Sequence, residues 1–238
     1  MPRLLLGLIA ALGILSSAAA QQATSYFPER GDWQSRPPKQ SGFDVARLDE
    51  AIKFAVANET SQPKDQALVQ RQTFGKSEPA PHNAIVGPMK TRAPLSGVIV
   101  HRGYVVAEWG DTDSVDMTHS VTKTFLTTVV GLAVQKGLIK DAADKVRGYM
   151  PAGVDLFDAP QNQPITWDHL LRQTSDWQGT LFGKPDWADR PEGKPEEWAN
   201  RKLHPPGTRY KYNDVRVNVL ALAALHVLRK PLPEVLRE

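Results

Sequence analysis

A chain of 238 residues, 41% of them hydrophobic and 23% charged, is long and apolar enough for one sizeable domain or a two-lobed one. The absence of cysteine excludes disulfides, a thiolate nucleophile and any cysteine-ligated metal or iron–sulfur site. The formal charge of +3 is a slight excess of scattered Lys and Arg, not interleaved with aromatics, so no nucleic-acid partner is expected.

Arg3 gives the chain a positive start, and Leu4 to Leu15 form a short apolar run. Ala18, Ala19 and Ala20 then supply the small-residue pattern at which a signal peptidase cuts. A bacterial-type signal peptide over residues 1–20, cleaved before Gln21, is the expectation, and with it a periplasmic or secreted protein. No later stretch is long and apolar enough to span a bilayer, so no stable membrane span is expected after cleavage. The mature chain, 21–238, divides on this reading into an N-terminal helix and hairpin (21–112) and a mainly helical lobe (113–238).

Residues 21–40 are polar and Pro-rich and read as a surface arm. Ser41-Gly42-Phe43-Asp44 reads as a capping box before an amphipathic helix over 43–58, with Val45, Leu48, Ile52, Ala55 and Val56 at helical spacing. Residues 60–93 show little periodicity and contain Pro63, Pro79, Pro81 and Pro88; a functional lid and a plain surface excursion are both open readings. Gly97-Val98-Ile99-Val100 and Tyr104-Val105-Val106-Ala107 predict a β-hairpin turning at Arg102-Gly103, and their continuous apolar character predicts a sheet covered on both faces. Ser120 to Leu138 reads as a helix apolar all round, hence buried, with Gly137 as its stop signal. Thr166 is an expected N-cap for a short helix through Leu171. The segment 176–209 is rich in Trp, Gly and Pro and reads as loops; Trp187 within it is a candidate substrate wall, with ordinary loop packing the other reading. Val217 to Leu228 predicts a second buried helix, and Pro231 starts another near the chain end.

Ser120-Val121-Thr122-Lys123 places a hydroxyl and an amine one helical turn apart on the same face. A serine hydroxyl attacks well only when a base takes its proton, and a lysine can be that base if desolvation lowers its pKa. Burial of the helix is expected to supply that environment, and the helix N-terminus favours developing negative charge. The tetrad occurs a second time as Ser61-Gln62-Pro63-Lys64, in a polar stretch with an internal proline and no helix to align it; that match reads as chance. Tyr212-Asn213-Asp214 precedes the second buried helix, and a phenol paired with an ammonium can pass protons. The six histidines never fall at H-E-x-x-H spacing, so neither a metal nor another cofactor is expected.

His119-Ser-Val-Thr-Lys123 through Leu138, the Pro151 turn, Ile165-Thr-Trp-Asp-His-Leu-Leu171 and Pro206-Gly-Thr-Arg-Tyr-Lys-Tyr-Asn-Asp214 together resemble the class C β-lactamase-related family of serine hydrolases, in consistent order over roughly residues 41–238. The resemblance implies an α+β, transpeptidase-like fold in which an antiparallel sheet is flanked by helices and joined by a mainly helical lobe. It implies that Ser120 is acylated, that Lys123 and Tyr212 share proton transfer, and that the Ser120 N–H forms half of an oxyanion hole. Asn213 and Asp214 become candidate substrate contacts beside Trp187, with a small-molecule ester, amide or β-lactam-like substrate.

Three departures qualify the resemblance. The family's Tyr-x-Asn is Tyr212-Asn213-Asp214 here, and an ionised Asp can only accept hydrogen bonds, which favours an ester over an amide or β-lactam substrate. The expected Thr-Ser-Gly is Thr174-Ser175-Asp176. The family's Lys- or His-x-Gly on a late strand does not follow Tyr212, and Lys90-Thr91-Arg92 precedes the hairpin, so the late strands are expected to be missing and the chain to be part of a longer protein. A non-catalytic homologue that binds penicillin or cell-wall peptide, or an inactive fragment, is the competing reading.

Overall fold

The computed structural model describes residues 26–238; the expected signal peptide lies outside the described residues. Contacts group the chain into two units, one ending at Glu59 and completed by Pro94–Asp113, the other made of Thr60–Ala93 and Ser114–Glu238. The segment 60–93, which chain order assigned to the N-terminal half, therefore belongs with the helical unit.

In the first unit, helix α1 spans Val45–Ala57 and is capped by Asp44 itself, whose carboxylate accepts from the Arg47 N–H at 3.2 Å. The predicted box at Ser41 is corrected. Ser41 instead ends a 3₁₀ turn, and Gly42 at φ 83° redirects the chain before the cap. The hairpin forms as predicted, β1 at Gly97–His101 and β2 at Tyr104–Trp109, with Arg102 and Gly103 both at positive φ in the turn. The register shifts after Ile99, so that Val100 pairs with Val105 and Val106 is the extra, buried residue of a bulge. The polar arm is not free: the Arg36 N–H donates to Val105 O (2.9 Å) and the Val105 N–H to Gln34 O (3.0 Å). Coverage of both sheet faces does not hold among the described residues. Val98 is 51% and Val100 45% exposed, because the described sheet has only these two strands.

In the second unit, residues 60–93 are more ordered than their periodicity suggests. Asp65 caps α2 (Gln66–Gln72), α3 follows at Phe74–Ser77, and an Asp65–Thr91 bridge closes the segment at its base. Such short helices leave too few turns for an apolar stripe to be read. The second tetrad, Ser61 to Lys64, lies exposed ahead of α2. Helix α4 (Thr122–Gln135) ends where Gly137 adopts φ 69° and the Leu138 N–H reaches back to Ala133 O. It is not buried all round, as its composition predicted. Leu126, Val129, Val130 and Ala133 are buried, whereas Phe125 is 46% and Val134 41% exposed.

Helix α5 (Trp167–Leu171) carries the expected Thr166 cap, with His169 Nδ1 accepting from the Thr166 N–H in return. Two-residue strands β3 (Thr180–Leu181) and β4 (Lys184–Pro185) form a small hairpin in the Trp-rich segment. Helix α6 runs Asp214–Leu228, three residues earlier than predicted, because Asn213 rather than a later residue is its N-cap. Helix α7 (Leu232–Val235) follows. The core joins Leu126, Val130 and Ala133 of α4 to Val215, Val219, Leu220, Ala223 and Ala224 of α6, closed by Phe157, Ile165 and Trp167. Ala133, Ala223 and Ala224 are completely buried; small side chains let the helices that carry them pack closely. Asp176, where the resemblance predicts glycine, sits at φ 42°, a left-handed conformation that glycine adopts without strain.

Candidate active site

The candidate nucleophile stands on a 3₁₀ turn, His119–Val121, that feeds directly into α4. His119 has φ 45°, a strained conformation for a side-chain-bearing residue, and its ring nitrogen is held by Gln66 of α2 at 3.1 Å. The neighbouring Ser120 is exposed. Three residues on, Lys123 Nζ donates to Ser120 Oγ at 3.2 Å. Tyr212, distant in sequence, brings its hydroxyl to 2.7 Å from the same oxygen.

Tyr212 is positioned by its neighbours. The Lys211 N–H donates to Gln173 O (3.0 Å) and the Asn213 N–H to Gln173 Oε1 (2.8 Å), pinning the backbone on both sides. Asn213 is fully buried; its Oδ1 accepts the Arg216 N–H, and its amide donates to the Asp186 and Asp189 carbonyls. Asn213 was expected as a substrate contact. The structure corrects this: its side chain is spent on capping α6 and tying down the 186–189 loop.

Asp214 is the first residue of α6, and each of its oxygens meets a different cation. Oδ1 accepts from Lys123 Nζ at 2.6 Å and Oδ2 from Arg190 at 3.0 Å. Burial tends to raise its carboxyl pKa, but the hydrogen bond and charge of Lys123, with Arg190, hold it below the ordinary value. For Lys123 the balance runs opposite to expectation. Burial alone would lower its pKa, yet the hydrogen bonds and charge supplied by Asp214 and Tyr212 leave it raised. At neutral pH Lys123 is an ammonium and donates to Ser120; it is not the free amine that the tetrad alone suggested. The causes are Tyr212 and, ahead of it, Asp214, a carboxylate at the position where the resemblance predicts a neutral amide.

Arg190 was not found from the sequence. It also pairs with buried Asp189 (2.6 Å), and its guanidinium lies 4.6 Å from the Tyr212 ring centroid, which Lys123 Nζ also approaches at 4.8 Å. Asp189 in turn accepts the Asp214 N–H. Burial pushes the Asp189 carboxyl above its usual value despite that hydrogen bond. No local pattern marks Arg190, which lies in a loop.

Ser120, Lys123, Arg190 and Asp214 line a cavity of about 800 Å³ within the second unit. Trp187 does not line it. Trp187 stacks on Trp198 at 6.4 Å and meets the edge of His82, and it is His82 that faces the cavity. Segment 60–93, left open between lid and surface excursion, contributes a wall through Phe74, His82, Ile85 and Met89. Among the described residues no cluster of metal-ligating side chains occurs. A hydroxyl bonded to a phenol and an ammonium at the mouth of a cavity can serve as a nucleophile with proton-transfer partners already in place.

A family model described as Beta-lactamase matches residues 83–238, taking in the serine turn, the tyrosine segment and α4 to α7. No curated protein and no solved structure matches the chain.

Proposed function

The chain belongs to the Beta-lactamase family, and from that membership we propose that it is a serine hydrolase forming an acyl-enzyme on Ser120. The observation that carries this is the hydrogen bonding of Ser120 Oγ to both Tyr212 and Lys123 at the cavity mouth. Because Lys123 is held as an ammonium, the Tyr212 oxygen is the base that takes the serine proton. As that proton moves, Oγ bonds to the substrate carbonyl carbon. Collapse of the tetrahedral oxyanion breaks the bond to the leaving group, which takes the proton back from Tyr212. Water then attacks the acyl-enzyme with the same partners, releasing the acid and restoring Ser120. Lys123 stabilises the charge that develops on Oγ, and the Ser120 N–H serves as one oxyanion donor.

An ester is the favoured substrate over an amide or β-lactam. Both oxygens of Asp214 are committed to Lys123 and Arg190, and a carboxylate cannot supply the amide donor that the family's asparagine would offer. Intact-mass measurement after incubation with an activated ester, followed by peptide mapping, tests the reading. An adduct on Ser120 that turns over supports it. An adduct that persists without product supports a non-catalytic penicillin- or peptide-binding homologue, and no adduct on Ser120 overturns the assignment.

We further propose export to the periplasm or medium, on the strength of Arg3, the apolar run and the Ala18–Ala20 site. N-terminal sequencing of protein recovered outside the cytoplasm is expected to begin at Gln21. An intact Met1 terminus would count against cleavage.

A further inference from the structure

The cavity beside Ser120 is walled mainly by apolar side chains. Phe125 of α4, Val217 and Ala221 of α6 and Leu232 line it. Segment 60–93 adds Phe74 and Ile85. Apolar groups also reach its rim: Phe182 is 81% and Val86 94% exposed.

The charges in this cavity are already matched. Lys123 pairs with Asp214 at 2.6 Å, Lys184 with Glu78 at 2.7 Å, and Arg190 with both Asp189 and Asp214. Each Lys and Arg among the described residues lining the cavity thus has a carboxylate partner. The two histidines are engaged as well, His119 with Gln66 and His82 edge-on with Trp187. A substrate bearing its own carboxylate, as a β-lactam or a peptide C-terminus does, would have to break an existing ion pair to be neutralised. An apolar chain would instead bury its methylenes against Phe125, Ile85 and Ala221 with no charge to satisfy.

Resting on the serine-hydrolase reading above, we propose that the substrate's acyl group is a neutral, apolar chain of octanoyl rather than acetyl size, lying between α4, α6 and segment 60–93. Each buried methylene contributes about a fourfold gain in transition-state binding, so kcat/KM should rise from p-nitrophenyl acetate to the octanoate by at least about tenfold. An octanoate analogue ending in a carboxylate should fall back toward the acetate rate. Ala221→Trp fills the space between α6 and the opposite wall and should lower the octanoate-to-acetate ratio by about tenfold. Because a tryptophan in α6 can disturb folding, circular dichroism accompanies it, and Ile85→Lys on the non-helical wall provides an independent variant. Ile85→Lys adds a cation to this wall and should raise the rate of the carboxylate-ended ester relative to the octanoate.

Acylation of Ser120 with no chain-length preference, or with preference for the carboxylate-ended ester, overturns the acyl-class proposal while leaving the hydrolase reading intact. Absence of any Ser120 adduct overturns both.

Discussion

Replacing Tyr212 with phenylalanine is expected to slow acylation of Ser120 by about 10²–10⁴-fold, the usual contribution of a positioned general base. The expected loss follows from the state of Lys123. An ammonium locked onto Asp214 at 2.6 Å can donate to Ser120 but cannot take its proton, which leaves the Tyr212 oxygen, 2.7 Å away, as the acceptor. Stopped-flow measurement of the p-nitrophenolate burst reads the step directly. A Tyr212→Phe burst rate within about threefold of the parent would show that Tyr212 is not the base. Asp214→Asn supplies the complementary check. Removing the carboxylate takes away a principal influence that raises the Lys123 pKa, so burial counts for more and the ammonium should titrate at lower pH. The pH profile of acylation should shift accordingly, with Lys123 gaining base character on the alkaline side. An unchanged profile would mean that Asp214 does not set the protonation of Lys123.

Arg216→Met is expected to destabilise the fold by about 3–5 kcal/mol, the cost of removing one partner from a buried ion cluster. Arg216 is 2% exposed and donates to Asp176 (2.7 Å), Asp186 (3.2 Å) and the Trp177 carbonyl (3.2 Å). Arg201 would then be the one arginine left to both carboxylates, whose side chains are 6% and 3% exposed. Melting temperature should fall by about 10 °C for a chain of this size; a drop of only a degree or two would show that water relieves the exposed charges. The same cluster makes the fold sensitive to acid. Burial pushes the Asp176 carboxyl up, but the His204 N–H, Arg216 and Arg201 bring it below its ordinary value of 3.8. A depressed carboxyl pKa contributes stability that is complete above 3.8 and is lost as pH falls through the lower, folded-state value. The cluster is also linked to the candidate site, because Asp186 offers its carbonyl to the Asn213 amide, next to Tyr212.

What the amino-acid order determined by itself was local. Val98 to Ala107 announced a hairpin through β-rich runs around Arg102-Gly103, Thr166 announced a helix start, and Ser120 and Lys123 declared their shared helical face by spacing alone. The resemblance to β-lactamase-related hydrolases was likewise legible, since it rests on the order of short motifs, and the family match agrees with it. Burial was read less well. The apolar runs of α4 and the hairpin carry enough hydrophobic residues to be covered on every side, but exposure depends on which neighbours arrive, and composition does not specify them. Segment 60–93 stayed unread for a related reason: two short helices do not display a period.

The chemistry of the site was decided only in three dimensions. Asp214 looked in sequence like a lost substrate contact, and Lys123 like a desolvated amine. Folding brings them together across 91 residues and adds Arg190 from a loop with no motif of its own. Electrostatic interaction depends on separation in space, so a carboxylate 2.6 Å from Lys123, together with Tyr212, outweighs the effect of burial and reverses the expected direction of its pKa. The serine–lysine spacing is a property of one short segment, the 3₁₀ turn that carries Ser120 and the first turn of α4 that carries Lys123, and could be read from it. The charge state of that lysine belongs to the whole helical unit and could not.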